Sequence, residues 1–153
     1  MNKIIIADSS CLIALDNINK LELLQSIFSE ITITSEIAKE FGKPIPKWIK
    51  IRSPKSKETV QKLLSVLDAG EAEAIVLAIE SKNSLLIIDE KKGRKIAISH
   101  QVNIIGTLRV ILLAKQGKII DKIEPLIKSL KLVGFRISKK IETGMLEISN
   151  EDE

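Results

Sequence analysis

Two aspartates stand where an apolar run ends: Asp8 directly after Ile4-Ile5-Ile6-Ala7, and Asp89 directly after Leu85-Leu86-Ile87-Ile88. Short continuous apolar runs of this kind read as strands buried on both faces, so each acid falls at the carboxyl end of a strand. Carboxylates gathered at such an edge repel one another, and burial raises the cost of their charge. A hard divalent cation relieves both. Mg²⁺ takes a few carboxylate oxygens and keeps several waters, and carboxylates without a His or Cys partner point to Mg²⁺ or Mn²⁺ rather than zinc. An ion so held activates water and neutralises charge on a phosphodiester during in-line displacement.

Two glutamates can join the pair. Glu40 lies about one and a half turns into the helix that follows the second strand, within reach of the sheet edge. Glu71 opens the helix that precedes Leu85. Each also has a structural reading: Asp68 and Glu71 have the spacing of a capping box, and Glu40 fits an ordinary solvated helix acid. Glu36, Glu73 and Glu90 are neighbours able to stand in for them. Between Lys43 and Lys62 seven basic residues face one acid, Glu58, and Lys91, Lys92, Arg94 and Lys95 form a second basic cluster. That distribution suits a phosphate-bearing partner, with a solvated Lys-rich surface as the plain alternative.

The elements that must position these groups alternate. After Ile4–Ala7, Leu12, Leu15, Leu21, Leu24 and Phe28 recur at helical spacing. Ile31-Thr32-Ile33 is a β-branched second strand, and Thr34 or Ser35 caps a helix that runs to Gly42. Pro44 and Pro46 mark a loop, and Trp48-Ile49-Lys50-Ile51 has the look of a short edge strand. Val60, Leu63, Leu64 and Leu67 form an amphipathic helix, followed by another with Ala72, Ile75, Val76 and Ile79 on its buried side. Helical stretches are expected over 95–100, 107–115, 120–132 and 137–148, with a short strand at 103–105. Strand–helix alternation with continuous apolar strands is the pattern of an α/β fold, a parallel sheet covered on both faces. Ligands of such open sheets bind beyond the carboxyl ends of the strands, where Asp8 and Asp89 stand.

Several runs along this order carry a resemblance. Asp8-Ser9-Ser10 after a hydrophobic strand resembles the opening of PIN domains, and Ile33-Thr34-Ser35-Glu36-Ile37-Ala38-Lys39-Glu40-Phe41 resembles their second motif, whose acid is the later glutamate. Gly70-Glu71-Ala72-Glu73-Ala74-Ile75, then Ile88-Asp89-Glu90 with Gly93-Arg94, then Ile105-Gly106-Thr107-Leu108, resembles one prokaryotic PIN-like subfamily. No single motif is specific; their order and spacing are, and they span Ile4 to Phe135. The resemblance implies a three-layer α/β/α sandwich with a central, mainly parallel sheet, as one PIN-like domain over 1–148 with an acidic tail at 149–153. It further implies a divalent-metal-dependent ribonuclease related to VapC-like toxins. Asp8, Glu40 and Glu71 match three acids of the metal and catalytic site. Asp89 is the best match for the fourth, with Glu90 competing, and Ser10 matches a hydroxyl that helps order the first aspartate or a water on the metal. Lys91, Lys92 and Arg94 are the expected RNA contacts. The partners implied are RNA, an antitoxin protein in the case of a toxin–antitoxin pair, and a second copy of the chain, since PIN relatives are often homodimers.

The chain departs from the family in two places. The third acid is usually Asp in toxin-type PIN domains and is Glu71 here, and Arg109 follows Gly106-Thr107-Leu108 where a glycine is common. A PIN-fold module that binds nucleic acid or protein without cutting is the rival reading.

Composition bounds the rest. The 153 residues suit one domain with one substantial core. Three Phe, one Trp and no Tyr disfavour a base-stacking platform. Cys11 lies in an apolar run and reads as a core residue, and the lone His100 reads as structural or surface. No apolar run approaches the roughly 20 residues of a membrane span, and the N-terminal run is too short for a signal peptide, so a cytoplasmic protein without a membrane partner is expected. A dehalogenase-type phosphotransferase needs a second Asp where Ser10 stands. A receiver domain needs an acid pair near the start and a late lysine, and nucleotide-binding glycine loops are missing.

Overall fold

The computed structural model describes residues 3–151. Its strands are β1 (Ile4–Ala7), β2 (Ile31–Ile33), β3 (Ile49–Ile51), β4 (Ser84–Ile87) and β5 (Ile104–Ile105). The helices are α1 (Ser9–Asn17), α2 (Leu23–Phe28), α3 (Ser35–Phe41), α4 (Lys57–Leu63), α5 (Ala69–Glu80), α6 (Lys91–Ser99), α7 (Thr107–Gln116), α8 (Glu124–Leu132) and α9 (Lys139–Ile148). The five strands form one sheet in the order β3-β2-β1-β4-β5, every pair parallel. Parallel neighbours need a crossover, and helices supply each one. The expected α/β/α sandwich is what the chain forms, with the sheet wholly rather than mainly parallel.

The topology locates the site. From β1 the chain steps outward through β2 to β3, then returns to the other side of β1 for β4 and β5. Strand order therefore reverses between β1 and β4, and a crevice opens beyond the carboxyl ends at such a switch. Register aligns Ala7 with Ile87, and the Asp8 N–H donates to the Ile87 carbonyl at 3.0 Å. Asp8 and Asp89 thus leave the sheet side by side.

Local sequence accounts for the supports. Ile6, Leu86 and Ile87 are fully buried because helices cover both faces of the sheet. Helix α5, Ala-rich and long, buries eight of its twelve residues between the sheet, α3 and α4. Thr34 caps α3, and Gly42 ends it at φ 70°, the left-handed geometry that favours glycine. A second apolar cluster lies to one side, where Ile111, Ala114, Ile123, Ile127, Leu130 and Met145 of the three C-terminal helices and their approach pack on Ala14 and Leu23.

Several boundaries differ from the sequence reading. Helical periodicity ran from Leu12 to Phe28, but the helix breaks at Asn19, which sits at φ 59°. Helix α6 starts at Lys91, not 95, because Glu90 caps it by accepting from the Lys92 N–H at 3.1 Å. Helix α8 starts at Glu124 rather than 120, since Pro125 suits only a first turn. The segment expected as an acidic tail is tied down as far as Glu151, while Asp152 and Glu153 lie outside the described residues. Among the described residues no helix is long and apolar enough to cross a membrane.

Candidate functional site

An open cleft of about 380 Å³ lies at the switch point, lined by Asp8, Ser9, Ser10, Asp68, Glu71, Asp89, Glu90, Phe135 and Arg136. Asp8 and Glu71 form its floor, exposed by only 4% and 7%. One oxygen of each, Asp8 Oδ1 and Glu71 Oε2, is buried with no hydrogen-bond donor. Buried acceptors normally find donors, so two such orphans in the lining of one cleft are unusual.

Electrostatics agree. Burial pushes the Asp8 carboxyl up from 3.8 to about 7; the charges of Asp68, Glu40 and Asp89 add to the rise, and the Ser9 backbone N–H offsets part of it. Burial, then the charges of Asp68 and Asp8, pushes Glu71 from 4.5 to about 8. Both groups resist ionisation until something cationic compensates them.

The remaining acids are placed differently. Asp89 spends its oxygens on the start of α7: the Thr107 N–H donates to Oδ1 at 2.8 Å and the Thr107 hydroxyl to Oδ2 at 2.5 Å. Gly106 has no side chain to cap that helix, and Asp89 does it from the neighbouring strand. Glu90 lines the cleft while capping α6, so both competitors for the fourth acid are present. Glu40 is exposed and does not line the cleft. Its carboxylate lies over the first turn of α5, near enough to raise Asp8. Among the described residues no three acidic, His or Cys side chains are drawn together tightly enough to hold a metal ion as they stand. Asp89 is committed to Thr107, and Glu40 lies outside the cleft over Gly70.

Three glycines of the sequence motifs acquire a shared explanation. A Cβ at Gly70 would fall 2.2 Å from Glu40 Oε1, one at Gly93 2.9 Å from Glu71 Oε2, and one at Gly106 3.0 Å from Asp89 Oδ1. Each glycine is the place where a carboxylate meets the backbone of another element.

Other expected residues fall as follows. Ser10 is exposed in the cleft wall. Lys91 and Lys92 are exposed on the first turn of α6, just beyond Glu90. Arg94 turns inward, its Nη1 donating to the Ile88 carbonyl at 3.0 Å, and so props the β4 end of the site. Glu36 and Glu73 are outside the cleft, with Glu73 accepting from the Glu36 N–H at 3.4 Å. No residue of the 43–62 basic stretch lines it. Lys50 and Arg52 instead border a separate groove with Lys3, and Lys43 pairs with Asp16 at 2.5 Å. Arg109 is exposed on α7. Cys11 is wholly buried, its thiol pushed up to about 12 by burial, which makes it inert. His100 is exposed.

Sequence reasoning missed three contributors. Asp68 was read as a cap, and it is one, accepting from the Glu71 N–H at 2.9 Å, but it also lines the cleft. Phe135 and Arg136 come from the far C-terminal module, and no local signal marks them.

An open, parallel α/β/α sheet with buried carboxylates at its switch point defines a class of acid-centred α/β domains. A sequence profile described as a PIN domain matches residues 4–151. The chain belongs to the PIN-domain family, whose members are generally nucleases and typically use divalent metal ions. No curated protein and no solved structure matches it.

Proposed function

We propose that the chain is a divalent-metal-dependent ribonuclease of the PIN type. The observation that carries this reading is the pair of buried, donorless oxygens on Asp8 and Glu71 at the carboxyl edge of the sheet. An acceptor-only floor fits a hard cation, Mg²⁺ or Mn²⁺, and fits no neutral ligand as well. Asp8 and Glu71 would hold it, with Asp68, Asp89 and Glu90 around them and Glu40 beside them.

When bound, such an ion supplies an activated water and neutralises charge on the phosphodiester. The chain does the rest. Asp8 and Glu71 are held rigidly by β1 and the first turn of α5, so the oxygens that receive the ion are already aimed. Thr107 fixes Asp89 from two sides, leaving that carboxylate to orient what enters the cleft rather than to wander. Protons and the ion compete for the same floor oxygens, which their raised pKa values make explicit. Exposed Lys91 and Lys92 stand at the rim, where an RNA backbone would pass.

The test is cleavage of a mixed single-stranded RNA pool with Mn²⁺ and with chelator, by wild type and Asp8→Asn. Wild type cuts only with metal, and the variant loses at least about a hundredfold in rate because the charge that holds the ion is gone. A folded, nuclease-free wild-type preparation that binds Mn²⁺ but never cuts would make the non-catalytic module the better reading. If the nuclease is the toxin of a toxin–antitoxin pair, its expression alone arrests growth and an antitoxin protein restores it.

A further inference from the structure

The cleft is lined by five carboxylates and one cation, Arg136. That cation has no ion-pair partner among the described residues, although acids share the same walls. A guanidinium serving as a structural counter-ion would be joined to one of them. Its five donors are unspent, and they match the oxygens of a phosphate.

The segment that carries Arg136 is built rather than loose. Helix α8 ends at Leu132, and Gly134 just beyond it sits at φ 94°, its N–H donating to the Lys131 carbonyl at 3.1 Å and the Phe135 N–H to Leu130 at 2.9 Å. Four residues after Gly134, Ser138 caps α9, accepting from the Ile141 N–H at 3.1 Å. Between these fixed points Phe135 and Ile137 pack on the C-terminal apolar cluster. Lys131 and Glu142 join the two helices across the connection at 2.9 Å. Alternate residues are thereby anchored inward, and Arg136 between them is left exposed at the cleft.

We propose that Arg136 binds a backbone phosphate of the RNA strand next to the scissile one, positioning it over the acidic floor. This inference rests on the nuclease reading. A polyanion approaching five carboxylates is repelled, and a guanidinium carried into the cleft by an anchored segment gives it a point of attachment. Lys91 and Lys92 are exposed point charges outside the cleft lining, whereas Arg136 is part of it. Phe135, half-buried beside it, offers the one aromatic surface of the cleft.

The experiment compares wild type, Arg136→Ala, Arg136→Lys and Asp8→Asn, all full-length. It measures kcat, KM and the dependence of log(kcat/KM) on log[NaCl] for a mixed-sequence single-stranded RNA in Mn²⁺. Arg136→Ala is expected to raise KM about tenfold with kcat changed far less. Its salt slope should shrink by about 0.7, the contribution of one phosphate contact on a single strand. Arg136→Lys should recover part of KM and most of the slope, since it keeps the charge and loses the fork. Mn²⁺-induced thermal stabilisation should match wild type in both Arg136 variants and be lost in Asp8→Asn. Unchanged KM and slope in Arg136→Ala, beside a dead Asp8→Asn, overturns this inference and leaves the nuclease reading standing. Loss of the Mn²⁺ response in Arg136→Ala also overturns it, by showing a prop for the floor. Failure of the wild type to cut overturns the nuclease reading itself.

Discussion

Glu71 and Glu151 carry the same carboxyl group out of solvent and meet opposite surroundings. Glu71, at the sheet edge, has an orphaned oxygen, acids for neighbours, and a carboxyl pushed by burial up to about 8. The Glu151 side chain, 5% exposed, docks on the C-terminal cluster. Burial works against its charge too, but the Lys115 ammonium at 2.7 Å and the N–H groups of Ile123 and Glu124 outweigh it and hold the carboxyl at about 2. A buried acid with its donors supplied locks three helices together. A buried acid without them keeps an unmet acceptor and resists ionisation. What separates the two carboxyls is the supply of donors rather than burial.

The largest stability effect should come from the satisfied acid. Glu151→Ala removes a charged pair and the acceptor for two backbone N–H donors at the start of α8, and should cost about 2–4 kcal/mol in urea unfolding. The Mn²⁺ response of the cleft should persist. A loss below about 1 kcal/mol would mean that the latch is ornamental and the contrast with Glu71 overdrawn.

A smaller effect separates two glycines of the site. At Gly93 an added Cβ would meet buried Ile88 Cδ1 at 2.8 Å as well as Glu71. Gly93→Ala should therefore cost about 1–3 kcal/mol despite the better helix former. At Gly70 the nearest atoms to the Cβ all belong to the Glu40 carboxylate, the end of an exposed, flexible side chain. Gly70→Ala should leave stability level or raised by up to about 1 kcal/mol while displacing Glu40 and lowering RNA cleavage. Equal stability losses in both would show that the close approach at Gly70 is as rigid as that at Gly93.

The same contrast shows what a sequence can disclose. Asp8 was legible because a fully apolar strand must end somewhere, and an acid at that point is conspicuous. Glu71 was legible from its place at the start of the helix that precedes Leu85, although its spacing from Asp68 fitted a capping box equally well, and only the buried, donorless oxygen marks it out. The parallel sheet followed from Ile4–Ala7 and Leu85–Ile88, which lack the alternation of a half-exposed strand. Helix α6 was started late because Lys91-Lys92-Gly93-Arg94 has no apolar periodicity, while the structure uses Gly93 to admit Glu71 and Arg94 to hold Ile88. Arg136 was out of reach. Its place depends on how the C-terminal helices pack against α1 and α2, a long-range outcome with no local periodicity to betray it.

The central claim is that Asp8 and Glu71 form a cation seat, and thermal unfolding across pH tests it most directly. Both carboxyls are raised in the folded protein, to about 7 and about 8, so the folded state holds protons that the unfolded chain has released. Their contribution to stability is present below about pH 4 and is lost as pH rises through about 7 to 8. Glu151 has the opposite sign, its contribution present above about pH 4.5 and lost as pH falls toward 2. Metal-free wild type should therefore melt highest near about pH 5 and lower near about pH 8. Mn²⁺ at about a hundred times its Kd should add about 2.7 kcal/mol near pH 8 and much less near pH 5, where protons occupy the floor. Asp8→Asn without metal should fall less between the two pH values and gain nothing from Mn²⁺. Stabilisation of the Asn variant equal to wild type, or a Mn²⁺ effect independent of pH, would contradict the account.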